Sequence, residues 1–486
     1  MQTSGSRVGR FTRGLLLATA LTAPLGACAR NPVTGQRELS LISEQQEIAM
    51  GQQAAQEVAQ SMGLVQDEAL QQYVQRIGRA LAADSERPNL PWSFAVVDDP
   101  TPNAFALPGG FIFVTRGMMS LMNSEAELAS VLGHEIAHVT AKHSVSQMSQ
   151  AQLANLGLGL GSVLAPEIAQ QYGQLASTGL QLLFLKYGRD DERQADELGF
   201  RYALQENYAV SEMANVFATL QRIGESSGQS ATPAWLSTHP DPGERVETAR
   251  RRAAALPAPQ SNAVVERAGY LQRLDGLVYG ENPRNGFFRE GEFIHPDLRF
   301  RVRFPQGWRT QNLPQAVLGG SPDQDAIIQL TLAQGSDPVT AARAFLSQQG
   351  IEPGQTFQES INGVPAAGSY FRAQTQQGVI EGIAAYFTHA SNTYQLLTYT
   401  PGGRLQRYDP LFRQVVGSFR PLTDPQLLNV QPSRLDVVRS DRRQTLAEFA
   451  RRTSSAVPAE ELALINGLSG PEATVESGQS VKTVVK

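Results

Sequence analysis

Cysteine is almost absent from this 486-residue chain: there is one, Cys28. A single thiol excludes an intrachain disulfide framework and leaves Cys28 to be explained on other grounds. Histidine is scarce as well, with six in all, so two that fall in register carry information. Positive charge is not in excess. The formal net charge of -5 offers no basic footprint, which argues against a nucleic-acid partner. The apolar stretch Gly14 to Ala23 is too short to cross a bilayer as a mature helix. No internal repeat is visible. What is left is ordinary globular composition, 41% hydrophobic and 18% charged, over a length that calls for more than one domain.

The N-terminus reads as a targeting segment. Arg7, Arg10 and Arg13 precede the short apolar core, and Leu25-Gly26-Ala27-Cys28 resembles a bacterial lipoprotein lipobox. The expectation is a signal peptide over 1–27, cleavage before Cys28, and acylation of that thiol and the new amino terminus. Two or three acyl chains anchor firmly where one does not. Ala29 rather than Asp after the cysteine favours the outer membrane of a Gram-negative bacterium, facing the periplasm. The plainer alternative is an ordinary signal peptide with an incidental cysteine.

The densest chemistry lies in His134-Glu135-Ile136-Ala137-His138, inside the apolar-periodic stretch Val131 to Val139. On a helix, residues four apart share a face, so both imidazoles can reach one zinc ion while Glu135 projects aside to act on a water. The bland reading is a buried helix with polar packing residues, but two His and a Glu are costly to bury without a task. Ser124-Glu125-Ala126-Glu127 has the form of a capping box that starts this helix. Two His leave a zinc site incomplete. His143, His239, His295 and His389 remain, and so does the acidic run Gly188 to Gly199. There Glu192 and Asp196 are again four apart. A second helix crossing the first could bring Glu192 to the metal and let Asp196 accept the outer N–H of a zinc histidine. By spacing alone, a solvated charged face fits that run equally well.

Around these motifs the chain divides as follows. Ser43 caps a helix reaching Gln60, and a second helix covers Glu68 to Ala83. Trp92 to Val97, Asn103 to Ala106 and Phe111 to Thr115 read as strands. Leu153 to Leu185 reads as apolar helix, most commonly core. Leu256 to Asn262 is a linker, followed by a helix from Ala263 to Val278. From Gly286 the pattern turns to alternation, with helices over Pro338 to Gln349 and Tyr408 to Ser418. That predicts a small α/β domain on an antiparallel sheet over 286–420, and Phe304-Pro305-Gln306-Gly307-Trp308 resembles the edge motif of PsbP-like domains. Residues 421–434 read as a further linker. The tail, 435–486, has the order strand, helix, helix, strand and resembles a LysM domain through Thr445-Leu446, Phe449-Ala450, Glu461-Leu462, Leu464-Ile465-Asn466-Gly467-Leu468, Gly478-Gln479 and Val481-Lys482. Ser440-Asp441-Arg442-Arg443-Gln444 departs from that family's Gly-Asp-Thr opening.

The pattern His134-Glu135-x-x-His138 followed by Glu192-x-x-x-Asp196 resembles that of a gluzincin. With Asn103-Ala104-Phe105-Ala106-Leu107-Pro108-Gly109-Gly110, His138-Val139-Thr140-Ala141-Lys142-His143-Ser144 and Ser237-Thr238-His239-Pro240, it resembles metallopeptidase family 48, the family of HtpX and the CAAX prenyl endopeptidases. The likeness covers about residues 30–255. The lipobox and Asn31-Pro32-Val33-Thr34-Gly35 point to the family's periplasmic lipoprotein branch, of the BepA and LoiP type. The resemblance implies an α+β multidomain protein: a mainly helical gluzincin domain with a small β-sheet over 28–255, a linker and helix over 256–285, then the PsbP-like and βααβ LysM-like units. It implies one zinc per chain on His134, His138 and Glu192. Glu135 would be the general base and Asp196 the partner of His134. An extended substrate would add to the strand Asn103, Ala104, Phe105, Ala106. His239 stays open between oxyanion stabiliser, fourth metal ligand in a latent state, and cap of the turn before Pro240, with Arg245 supporting either of the first two. His143 is taken as structural; His295 and His389 carry no signal. The expected function is a lipid-anchored endopeptidase for unfolded or misassembled envelope proteins. The alternative is a non-proteolytic assembly factor or a peptidoglycan-binding lipoprotein.

Overall fold

A computed structural model describes residues 28–153, 185–226, 234–239, 242–257, 260–335, 337–375 and 378–486. The expected signal peptide and most of the apolar stretch Leu153 to Leu185 lie outside the described residues. The architecture is mixed α and β, with helices around several separate sheets. Among the described residues no helix is long and apolar enough to cross a membrane.

Short strands β1 (Cys28–Arg30) and β2 (Arg37–Leu39) pair antiparallel. Asn31 between them donates its side-chain amide to the carbonyl of Ala141. Helix α1 (Glu44–Ser61) starts as its sequence predicts: Ser43 accepts the Gln46 N–H and the Gln46 side chain returns to the Ser43 N–H. Helix α2 (Glu68–Ala83) buries Leu70, Tyr73, Val74, Ile77 and Leu81, one helical stripe. Strands β3 (Ser93–Val97), β4 (Ala104–Leu107) and β5 (Phe111–Thr115) form a sheet in the order β3-β5-β4, with β3 parallel and β4 antiparallel to β5. The turn joining the last two needs Gly109, whose φ is +78° and whose added Cβ would lie 2.6 Å from Ile48 Cα.

Helix α3 (Arg116–Leu121) leads into α4 (Glu125–Thr140), which is buried along its whole length. The expected capping box of α4 is half made. Ser124 accepts the Glu127 N–H, but the Glu127 carboxylate turns one residue further back and accepts from Asn123 N at 2.6 Å. Then come α5 (His143–Leu153), α6 (Arg189–Gln205), α7 (Glu212–Ser226), α8 (Ala234–Thr238) and α9 (Pro242–Ala254). Helix α10 (Arg267–Leu274) is shorter than the expected Ala263 to Val278. Long-range pairing takes its ends: Val264 exchanges backbone bonds with Asn207 and Ala209, and Val278 bridges Arg434.

The middle unit carries two sheets. One has the order β16-β8-β7-β6, from β6 (Phe287–Arg289), β7 (Glu292–His295), β8 (Phe300–Arg303) and β16 (Arg420–Pro421). The other has seven strands, β12-β13-β14-β15-β11-β10-β9. These are β9 (Arg309–Asn312), β10 (Ala316–Gly320), β11 (Ile327–Ala333), β12 (Ile351–Ile361), β13 (Val364–Thr375), β14 (Gly378–His389) and β15 (Asn392–Pro401). Helices α11 (Pro338–Leu346) and α12 (Leu405–Ser418) pack on it. Edge strand β12 was not expected from sequence, because it is mostly exposed and polar. A short helix, α13 (Pro425–Leu428), interrupts the expected linker.

In the C-terminal unit β17 (Arg434–Arg439) pairs antiparallel with β20 (Ser480–Val485), and β18 (Gln444–Thr445) with β19 (Thr474–Val475), around α14 (Leu446–Arg452) and α15 (Ala459–Ile465). The chain order is strand, strand, helix, helix, strand, strand, so two short strands flank the helices inside the expected outer pair. Leu435, Leu446, Phe449, Leu462 and Val484 belong to the same hydrophobic cluster as Leu132 and Ile136 of α4. The chain leaves this body at Tyr279 and returns at Ser433, where Tyr279 N–H donates to the Ser433 carbonyl at 2.8 Å. The middle unit is thus inserted between two hydrogen-bonded segments.

Candidate metal centre

Helices α4 and α6 cross at glycines. An added Cβ on Gly199 would lie 2.8 Å from His134 N, and one on Gly133 3.0 Å from Gly199 O. Backbones this close place the polar faces of both helices on one point. The side chains of His134, His138, Glu192 and His239 converge there, each offering one donor atom, all within 4.8 Å of one another. His134 Nε2 is 3.0 Å from His138 Nε2 and 3.3 Å from His239 Nδ1. Glu192 lies 2.9 Å from His239 Nδ1, 3.5 Å from His138 Nε2 and 3.6 Å from His134 Nε2. A tetrahedral zinc with ligands at about 2.0–2.1 Å has ligand-to-ligand edges of about 3.3–3.4 Å. The donor set therefore fits zinc in size and chemistry, and it has four members, one more than an open catalytic site supplies.

Outer contacts orient each donor. Asp196 Oδ1 takes the Nδ1 hydrogen of His134 at 3.0 Å, which leaves Nε2 free to coordinate. Arg245 grips Asp196 through Nε at 2.8 Å and Nη2 at 2.7 Å, and its Nη1 lies 2.9 Å from Glu192 Oε2. The guanidinium is seated between the rings of Phe217 and Trp235, at 4.1 and 4.8 Å. Trp235 stacks on His239 at 4.8 Å. Arg245 thus acts on the two carboxylates and reaches His239 only across the indole. His138 Nδ1 meets His143 Nδ1 at 2.9 Å, and His143 Nε2 meets Gln194 Oε1 at 2.9 Å. Tyr187 stacks on His138 at 3.8 Å and shares a hydrogen bond with Ser144.

Glu135 differs from every other group here. It is fully buried, and neither carboxylate oxygen has a hydrogen-bond partner. Its Oε1 lies 3.7 Å from His239 Nε2. Burial raises its pKa against the pull of His239 and His134. Glu192 moves the other way. Burial alone would raise it, but His239 and Arg245 hold it well below the usual carboxylate range. Asp196 is likewise lowered, Arg245 and His134 overcoming burial. The two neighbouring glutamates thus shift in opposite directions.

The match that decides the kinship covers residues 68–253, the span from α2 to α9 that holds every one of these groups, and its description is peptidase family M48. Residues 68–253 are an M48 peptidase domain.

This M48 domain has curated relatives. A beta-barrel assembly-enhancing protease of Yersinia pestis is 32% identical over 254 residues, half of this chain and half of its own. A mitochondrial metalloendopeptidase OMA1 of Schizosaccharomyces pombe is 31% identical over 220 residues, 44% of this chain and 63% of that one. The chain spans about half the length of the first of these. A solution structure of cyanobacterial PsbP from Synechocystis covers 27% of this chain and 91% of its own at 15% identity and a TM-score of 0.23, too low to carry an argument.

Of the M48 residues expected from sequence, the structure gathers His134, Glu135, His138, Glu192, Asp196, His239 and Arg245 at one point. Ala104, Phe105 and Ala106 lie on β4, an edge strand of its sheet, with buried side chains, and the Asn103 N–H donates to Thr115 Oγ1. At 0%, 6% and 5% exposure Ala104, Phe105 and Ala106 are covered as whole residues, backbone included, so a peptide reaches this edge only after its cover moves. Cys28 lies on β1. Sequence reasoning set His143 aside and missed Tyr187, Phe217 and Trp235. Trp235 sits four residues before His239, a helical spacing that could have flagged it.

Proposed function

We propose that this chain is a zinc-dependent metalloendopeptidase acting on unfolded or misassembled envelope proteins, held through acylated Cys28 on the periplasmic side of an outer membrane. One observation carries the hydrolytic reading: a four-donor metal set beside Glu135, a buried carboxylate with no hydrogen-bond partner. Zinc bound by His134, His138 and Glu192 supplies Lewis acidity toward a peptide carbonyl. Glu135 does the proton work. Its raised pKa suits a group that takes a proton from the attacking water and returns it to the leaving amine. Asp196 and His143 fix the ring nitrogens of His134 and His138, and Arg245 holds Glu192 and Asp196 in place. An extended peptide adds to the outer edge of β4 through backbone bonds near Asn103 to Ala106.

His239 occupies the fourth donor position, so we read it as a guard that must withdraw before substrate enters. Its placement 2.9 Å from Glu192 supports that reading over an oxyanion role. The lipobox supports the anchor, and relatives named as beta-barrel assembly-enhancing proteases support the envelope setting. A non-proteolytic assembly factor would need neither the complete donor set nor the unpartnered glutamate.

Glu135→Gln tests the reading. Casein cleavage should fall by about 10²–10⁴-fold with about one zinc retained per chain; cleavage and in vivo rescue that both survive would sink it. His239→Ala should raise basal cleavage, whereas a loss like that of Glu135→Gln would make His239 an oxyanion group. Retention of full-length Glu135→Gln protein on peptidoglycan tests the wall contact expected of residues 435–486.

A further inference from the structure

Lys482 is fully buried on β20; among the described residues no carboxylate contacts its ammonium directly, and Glu127 attracts it from further off. Asn466 holds its backbone from both sides, accepting the Lys482 N–H at 2.8 Å and donating to its carbonyl at 2.9 Å. The ammonium donates to the carbonyls of Ser120 and Met122, both at 2.7 Å. These carbonyls end α3, where a helix lacks intrahelical donors and attracts a cation. The next residue, Asn123, gives its N–H to Glu127 of α4. A lysine 362 positions downstream therefore fixes the turn from which the metal-bearing helix starts.

The same unit holds a second helix. Arg222 of α7 donates to the Leu468 carbonyl at 2.7 Å. Helix α7 also carries Phe217, which seats Arg245, and Met213 and Val216, which line the small cavity beside Glu135. The apolar core runs without a break from α4 into α14 and α15. An ammonium whose direct partners are both neutral carbonyls is costly to bury, the charge of Glu127 offsets that only from a distance, and a module that only served as a tether would have no use for one at this junction.

We infer that residues 434–485 are a built-in clamp of the M48 domain, with Lys482 a positioning residue that sets α4 against α7 and thereby the seat of Arg245 on Glu192. This rests on the metallopeptidase reading for what is positioned, yet docking and metal retention are both measured without hydrolysis.

Two experiments on the full chain test it. A specific protease site is inserted in the exposed stretch Thr423 to Gln426 and cut. The C-terminal fragment should co-elute with the rest in gel filtration; its release overturns the clamp. Lys482→Met keeps the aliphatic stem but cannot donate. Zinc should pass to a chelator at about tenfold lower chelator concentration, with kcat reduced and KM within twofold. A lower Tm with unchanged zinc retention would make Lys482 merely structural and overturn its positioning role. If Lys482→Met does not fold, co-elution of the cut protein decides.

Discussion

Gly199→Ala sets two rules against each other at the crossing of α4 and α6. In an exposed helix the change stabilises by about 1 kcal/mol. Here the new Cβ would lie 2.8 Å from His134 N, 2.9 Å from Gly133 C and 3.1 Å from His134 Cα, where ordinary contact begins at 3.4 Å. All three atoms are backbone, so no rotamer change relieves the clash, and α6 must retreat by about 0.6 Å in a close-packed interior. Overpacking of this kind costs about 1–3 kcal/mol, which cancels or exceeds the propensity gain. The larger effect falls on the metal. Asp196 lies one turn and Glu192 two turns before Gly199, both on the helix that moves. The 3.0 Å contact of Asp196 with His134 would stretch toward about 3.6 Å, where a hydrogen bond no longer exists. Loss of such an outer partner lowers zinc affinity about 10–100-fold. Thermal unfolding with and without zinc, together with chelator competition, measures both effects. A Gly199→Ala protein that melts higher than wild type and keeps its zinc affinity within twofold would refute the reasoning.

Asp196→Asn keeps an oxygen for His134 but removes the charge that Arg245 grips with two bonds. Breaking a buried pair costs about 3–5 kcal/mol, and zinc affinity should drop about 10–100-fold; a chelator titration that superimposes on wild type would contradict this. In the middle unit His295 Nδ1 accepts the Leu298 N–H at 3.2 Å, so the ring is neutral when folded. Burial drives its pKa from 6.5 down to about 4, opposed by Asp297 and aided by Arg284. Between those values the unfolded chain binds a proton the folded chain refuses, so this stability is present above pH 6.5 and is lost as pH falls toward 4, at up to about 1.4 kcal/mol per pH unit. Urea midpoints followed by Trp308 fluorescence should decline over that window and flatten in His295→Gln; an equal decline in both proteins counts against it.

What was legible from sequence was whatever local spacing encodes. His134, Glu135 and His138 declare a metal face because a helix repeats near four residues. Glu192 and Asp196 repeat the same spacing, and α1 and α2 announce themselves by caps and apolar stripes. What could not be read were pairings between distant segments. Spacing could not show that Gly133 and Gly199 touch, or that Phe217 and Trp235 enclose Arg245. Glu127 matched a capping box but found a better donor in Asn123. Strand β12 lacks the apolar alternation that marks a half-buried strand. Val264 and Val278 look helical until their partners, Tyr208 and Arg434, claim them for bridges. Val481-Lys482 is part of the LysM-like pattern, but only the fold shows that Lys482 turns inward onto α3.

The contact of Lys482 with Ser120 also bears on the order in which the metal centre is assembled. Core contacts that span 362 positions form late, because a large loop must close before they contribute. A nascent chain that has delivered His134, His138 and Glu192 still lacks the strand that settles the start of α4. On the metallopeptidase reading, such a chain would acquire a supported metal site only once β20 is in place.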